Sequence, residues 1–175
     1  PARFILIAAQ NPCPCGYLTE TQKQCVCTPH QIIRYQKRVS GPLLDRIDLH
    51  VEVGRVKYEK LSNDEVAENS ESVRARVNKA RVLQKKRFDT INKTRQYQIH
   101  TNAEMNPQLI KEFCQIDRDS QELLKQAVTQ YGLSARSYHR ILKLARTIAD
   151  LSDSEKIQPT HLAEAIQYRP KESRY

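Results

Sequence analysis

"SARSYHRILKLARTIADL", residues 134–151, sets Ile141, Leu142, Ala145, Ile148 and Ala149 on one stripe at helical spacing. A stripe that wide on an otherwise charged helix has to be covered by other elements. The neighbouring sequence supplies them. "NPQLIKEFC" (106–114) opens with Asn-Pro, a cap followed by a tolerated first-turn proline. "DSQELLKQAVTQYG" (119–132) starts on Asp119 and stops at Gly132, and "QPTHLAEAIQYR" (158–169) reads as a short closing helix. Upstream, "NDEVAENSESVRARVNKARVLQKKRF" (63–88) is a long helical pattern with Val73, Val77 and Ala80 on one face. The second half of the chain is thus expected to form a self-sufficient helical bundle.

The first half reads differently. "FILIAA" (4–9) is a continuous apolar run, as in a strand buried on both faces of a parallel sheet. "LHVEV" (49–53) alternates and is expected to be a second strand. Between them, "TPHQIIRYQKRV" (28–39) reads as a helix with Thr28 as N-cap and Pro29 at its first position. A buried strand with one partner is an incomplete sheet. The simplest reading is α/β plus all-α: the tail of an α/β domain, a polar boundary around residues 54–70, and a complete helical domain. The start at Pro1, with no initiator Met, fits a piece of something longer.

Composition narrows the partners. The 175 residues are 39% hydrophobic and 28% charged, enough apolar content to bury a core. No apolar run approaches the roughly 20 residues of a membrane span. The net charge of +9 favours a polyanion such as nucleic acid, although a generally basic soluble protein has the same charge. Much of it sits in residues 74–95, where Arg74, Arg76, Lys79, Arg81, Lys85, Lys86, Arg87, Lys93 and Arg95 face a single Asp89. Such a helix could track a phosphate backbone, or be a solvated face. No aromatics interleave with it to stack on unpaired bases, so duplex backbone or interfacial acidic groups suit it better. The five histidines have no metal-ligand spacing.

The cysteines carry the most specific chemistry. Cys13, Cys15, Cys25 and Cys27 form two Cys-x-Cys arms separated by nine residues, and Cys114 lies apart in a helical pattern as a small buried hydrophobe. A Cys-x-Cys pair is too strained to bridge internally, so any disulfides would run between arms. The two arms can instead converge four thiolates on one tetrahedral Zn²⁺ with no open position, which makes the ion structural. Free or redox-paired thiols and an iron–sulfur cluster are the alternatives. Pro12 and Pro14 stiffen the first arm, Gly16 allows its turn, and Pro29 ends the second.

Three separated motifs, "FILIAAQNPCPCG", "CVCTPHQIIRYQKRVSGPLLDRIDLHVEV" and "LSARSYHRILKLARTIADL…IQPTHLAEAIQYR", occur in this order along the chain. Together they resemble the C-terminal part of magnesium-chelatase-like AAA+ ATPases of the YifB/ComM type. The resemblance implies the C-terminal end of an AAA+ (P-loop) core over residues 1–56, with the four-cysteine insertion at 11–29. A linker at 57–70 and a helical lid at 71–175 would follow. It also implies a cytoplasmic ATPase, using ATP with Mg²⁺, that assembles as a ring, a hexamer by family pattern. The Gly-x-x-x-x-Gly-Lys-Ser/Thr phosphate loop and the acidic magnesium-binding strand are not in this sequence, which has only 4 glycines. The full-length parent is therefore expected to be the enzyme, and this piece alone inactive.

Three roles carry over by motif position. Asn11, after the apolar segment, resembles sensor 1, an amide that orients the attacking water and the terminal phosphate; an Asn-Pro turn former is a compatible reading. Arg46 in "GPLLDRIDLH" resembles the arginine finger offered to the neighbouring subunit's nucleotide, with Asp45 and Asp48 beside it to hold its orientation. Arg136, in the first turn of the helix capped by Ser134, resembles sensor 2, where the helix terminus and the guanidinium both favour an anion. Arg140 and Lys143 on the same helix are expected to be solvated. For this branch the implied substrate is DNA, as in branch migration during natural transformation or recombination. The rivals are a motor that helps insert Mg²⁺ into a porphyrin, and a non-enzymatic zinc-stapled module that binds nucleic acid.

Overall fold

Local signals along the chain fix helix ends before any tertiary contact forms. A computed structural model describes residues 4–54, 68–93 and 98–169. Its elements are α1 (Pro29–Gln36), α2 (Gly41–Leu44), α3 (Ser70–Asn92), a 3₁₀ turn (Asn102–Glu104), α4 (Pro107–Phe113), α5 (Arg118–Tyr131), α6 (Ala135–Leu151) and α7 (Pro159–Gln167). Side-chain oxygens of Asn69, Asn106, Asp117 and Ser134 accept from the backbone N–H three residues on, at the starts of α3, α4, α5 and α6. Gly132 closes α5 in the left-handed conformation (φ +57°), a geometry glycine enters without penalty.

The expected helices form, with shifted edges. The long helix runs from Ser70 to Asn92, and residues 63–67 of that expectation lie outside the described residues. Helix α5 is capped by Asp117 rather than starting on Asp119, because the Asp117 carboxylate reaches the Ser120 N–H at 2.8 Å.

The strand expectations are not met. Among the described residues there is no strand, and both 4–9 and 49–53 run as irregular backbone. Phe4, Ile5, Leu6 and Ile7 are 76, 86, 63 and 90% exposed, and Val51 and Val53 are likewise open. A parallel strand exists through hydrogen bonds to its neighbours. No other described segment offers them, so an apolar run suited to a sheet interior has no ladder to join. The α/β half of the expected class is thus absent from the described residues, which are helical.

Contacts divide the described chain into two compact units: residues 4–46 with 52–54, and residues 47–51 with 68–93 and 98–169. The first contains α1 and α2. The second is built around α6, whose Ile141, Leu142, Ala145, Ile148 and Ala149 are all buried, as the stripe requires. Helix α7 lies along it with Leu162 and Ala165 buried, α3 contributes Phe88, and α4 contributes Leu109 and Ile110. Phe88 and Phe113 meet edge to face at 5.8 Å. Cys114 joins this core, and burial pushes its thiol up to about 12, so it is an inert hydrophobe.

Candidate functional site

In the first unit the four clustered cysteines come to one point. The Gly16 N–H donates to the Cys13 carbonyl at 3.0 Å, closing a tight turn across Pro14 and Cys15. Gly16 itself takes φ +82°, which a residue with a Cβ seldom adopts. The second arm, Cys25 to Cys27, runs into Thr28. The Thr28 hydroxyl accepts from the Gln31 N–H, and the Gln31 side-chain oxygen accepts from the Thr28 N–H, a reciprocal cap that starts α1. Gln36 at the other end of α1 donates to the Pro12 carbonyl at 3.2 Å, tying the helix back to the first arm. The intervening loop is braced by the Lys23 ammonium, 4.1 Å above the Tyr17 ring.

The Cys13 sulfur lies 3.4 Å from that of Cys15 and 3.7 Å from that of Cys25, and Cys15 and Cys25 are 3.5 Å apart. All four sulfurs fall within 4.8 Å of one another, and none is in a disulfide. Four thiolates about 2.3 Å from a tetrahedral zinc ion would be about 3.8 Å apart, so these distances fit one ion at their centre. Cys13 is fully buried and the other three partly so. The Tyr17 backbone N–H draws the Cys15 thiol down to about 6, against the opposing effect of desolvation. The Cys27 backbone N–H also pulls on Cys25. Desolvation and the hydrogen bonds from Cys15 and Cys13 outweigh it, and Cys25 is pushed up to about 12. Desolvation likewise raises Cys27. Together the group favours a thiolate that its neighbours solvate, the electronic setting a soft divalent cation would complete.

The three residues carried over by motif are all exposed. Asn11 stands two residues before the first cysteine. Arg46 follows α2 and donates to the Pro42 carbonyl at 2.6 Å. Arg136 lies in the first turn of α6, two residues after the Ser134 cap. Two neighbouring expectations change. Asp48 pairs with Arg140 at 2.6 Å in the helical unit, so its carboxylate is engaged there. Lys143 donates to the Ala103 carbonyl at 2.7 Å, and desolvation lowers its pKa. Arg140 and Lys143 are therefore structural contacts, because the segment 47–51 and the 3₁₀ turn both pack where these side chains reach.

A buried polar network in the helical unit escaped the sequence reading. The Asp150 carboxylate, fully buried, accepts from both Arg87 guanidinium nitrogens, from the Arg146 Nε at 3.1 Å and from the Asn102 side-chain amide at 2.8 Å. Arg146 also donates to the carbonyls of Ser154 and Glu155, satisfying the turn that follows α6. The only signal in the sequence was an Arg–Asp pair at i, i+4 beside the apolar stripe. A recess of about 610 Å³ opens over this network, lined by side chains of both charges.

The pattern of magnesium chelatase, subunit ChlI, matches residues 1–61, and that of its C-terminal region matches residues 67–169. The chain is 42% identical to the competence protein ComM of Haemophilus influenzae, over 97% of this chain and 31% of that protein. It is 40% identical to the uncharacterized protein YifB of Escherichia coli, with the same coverage. It is 32% identical to the uncharacterized protein Rv2897c of Mycobacterium tuberculosis, over 97% of this chain and 32% of that protein. It thus spans about a third of the length of the curated relatives it matches. No helix among the described residues is long and apolar enough to cross a membrane. With family patterns covering both units and identity running nearly end to end, the chain belongs to the magnesium chelatase subunit ChlI family.

Proposed function

We propose that this chain is the C-terminal part of an ATP-driven AAA+ ring motor that acts on DNA, of the branch-migration type. The observation that carries the reading is the near end-to-end similarity to a competence protein at 42% identity, which favours DNA as the substrate. ATP with Mg²⁺ would be bound and hydrolysed by each subunit of a ring, six by family pattern. Asn11 would hydrogen-bond the attacking water and the terminal phosphate. Arg46 would reach the nucleotide of the neighbouring subunit and neutralise charge as the phosphoryl group departs, an effect worth roughly 10³ to 10⁵ in rate in other phosphoryl-transfer systems. Arg136, exposed beside the N-terminus of α6, would report the terminal phosphate to the lid.

The cysteine cluster would hold one structural Zn²⁺. Its sulfur spacing supports a single tetrahedral ion and leaves no ligand position for water, so the metal would brace the first unit rather than enter the chemistry.

The test uses the full-length protein. Branched DNA should raise its ATP turnover, and Arg46→Ala should abolish turnover while leaving nucleotide affinity nearly intact. A large loss of affinity in that variant removes the trans-acting role. The family description itself favours a second reading, a motor for porphyrin metallation. Stimulation by a porphyrin-binding partner and none by DNA selects it.

A further inference from the structure

Helix α3 is covered over only part of its length. Every residue from Ser70 to Lys79 is exposed, and the first buried position is Ala80, followed by Gln84 and Phe88. Its C-terminal portion is clamped by Phe88 in the core and by Arg87 on Asp150. Its first ten residues, about 15 Å of helix, bury nothing.

The exposed surface is strongly cationic. Arg74, Lys79, Arg81, Lys85, Lys86 and Lys93 are exposed. Arg76 is committed to a bidentate pair with Glu68, and Arg87 turns inward. At 100° per residue the six fall in two rows, Arg74–Arg81–Lys85 and Lys79–Lys86–Lys93, about a third of a turn apart. The acidic residues of the helix, Glu71 and Asp89, lie between the rows, so each row meets an anion separately. The one aromatic ring on α3, Phe88, is fully buried, which leaves nothing to stack on an unpaired base.

We infer that this face of α3 is a duplex DNA contact that grips phosphates on both strands and reads no bases. The inference rests on the DNA reading above and deepens it by assigning the surface. Charge complementarity commits it to a polyphosphate backbone. Two cation rows on a rod 10–12 Å wide match strands flanking a major groove of about 12 Å, which a single strand does not offer.

The experiment uses the 175-residue chain without nucleotide, binding a mixed-sequence duplex followed by fluorescence anisotropy across a salt series. One triple variant carries Arg74→Gln, Arg81→Gln and Lys85→Gln. A control removes the same charge elsewhere on the helical unit: Lys111→Gln, Lys125→Gln and Lys156→Gln. Losing three phosphate contacts should flatten the slope of log affinity against log salt by about 2.7 and weaken binding on the order of 10²-fold near 0.1 M salt. The control should retain the wild-type slope. Equal losses in both variants, or an unchanged slope in the α3 variant, overturns the assignment. So does an α3 variant that loses binding to phosphatidylserine vesicles while holding duplex DNA normally. Because no ATP is present, a full-length protein that hydrolyses none would sink the motor reading and leave this result standing.

Discussion

The two units of this chain are held together by different chemistry. In the first, Cys13 and Ile32 are the buried apolar residues among those described, while its longest apolar run, Phe4 to Ile7, faces solvent. In the second, a continuous cluster from five helices surrounds Ile141, Leu142 and Ala145. One unit therefore has a cluster of four cysteines where the other has a core. A segment that cannot exclude water from enough apolar surface needs a cross-link, and an ion held by four convergent thiolates would be one.

The sharpest way to break that comparison is to strip the proposed zinc ion. A strong chelator should collapse the amide NMR signals of residues 13–36 to unfolded positions and leave those of the helical unit in place. Structural zinc sites of this class are worth on the order of 10 kcal/mol. Signals unchanged in protein shown by metal analysis to be metal-free would mean the unit does not depend on an ion.

A smaller effect should follow from Asp150→Ala, which strands the buried Arg146 guanidinium and the part-buried one of Arg87. We expect the helical unit to lose about 3–5 kcal/mol in urea unfolding, with the cysteine cluster untouched. A loss below about 1 kcal/mol would show that Arg87 and Arg146 find other partners.

The smallest effect concerns a cap. Ser120, whose backbone N–H donates to it at 2.8 Å, holds the Asp117 carboxyl below its ordinary value. A carboxyl whose pKa is lower folded than unfolded stabilises above its unfolded pKa, about 3.9. That contribution disappears as pH falls through the lowered folded value. Asp117→Asn retains the cap without the charge, so the wild type should lose more stability than the variant on acidification below about pH 4. Parallel pH profiles would remove the carboxylate's role.

Most of the helical unit was legible in the sequence because its signals are local. Asn106, Ser134 and Gly132 each act within one turn, and the α6 stripe fixes which face is buried. The start of α5 was expected at Asp119, and the reach of the Asp117 carboxylate to the Ser120 N–H sets it earlier. The convergence of Cys13, Cys15, Cys25 and Cys27 was legible for the same reason, since the spacing alone allows a closed tetrahedron. What failed was long-range. The apolar run at 4–9 carries a strand pattern, but a pattern cannot supply neighbours. The Arg87–Asp150 pair joins positions 63 residues apart, and no window of sequence contains both.

Among the described residues, the buried side chains of helix α3 all lie in its second half. Phe88 and Arg87 fix its base within the bundle, and every residue of its opening turns is exposed. A stiff rod held this way is a lever: any small tilt imposed at the base carries its tip, about 25 Å away, through a displacement that grows with that length. Cations mounted along such a beam would sweep furthest where they are least encumbered.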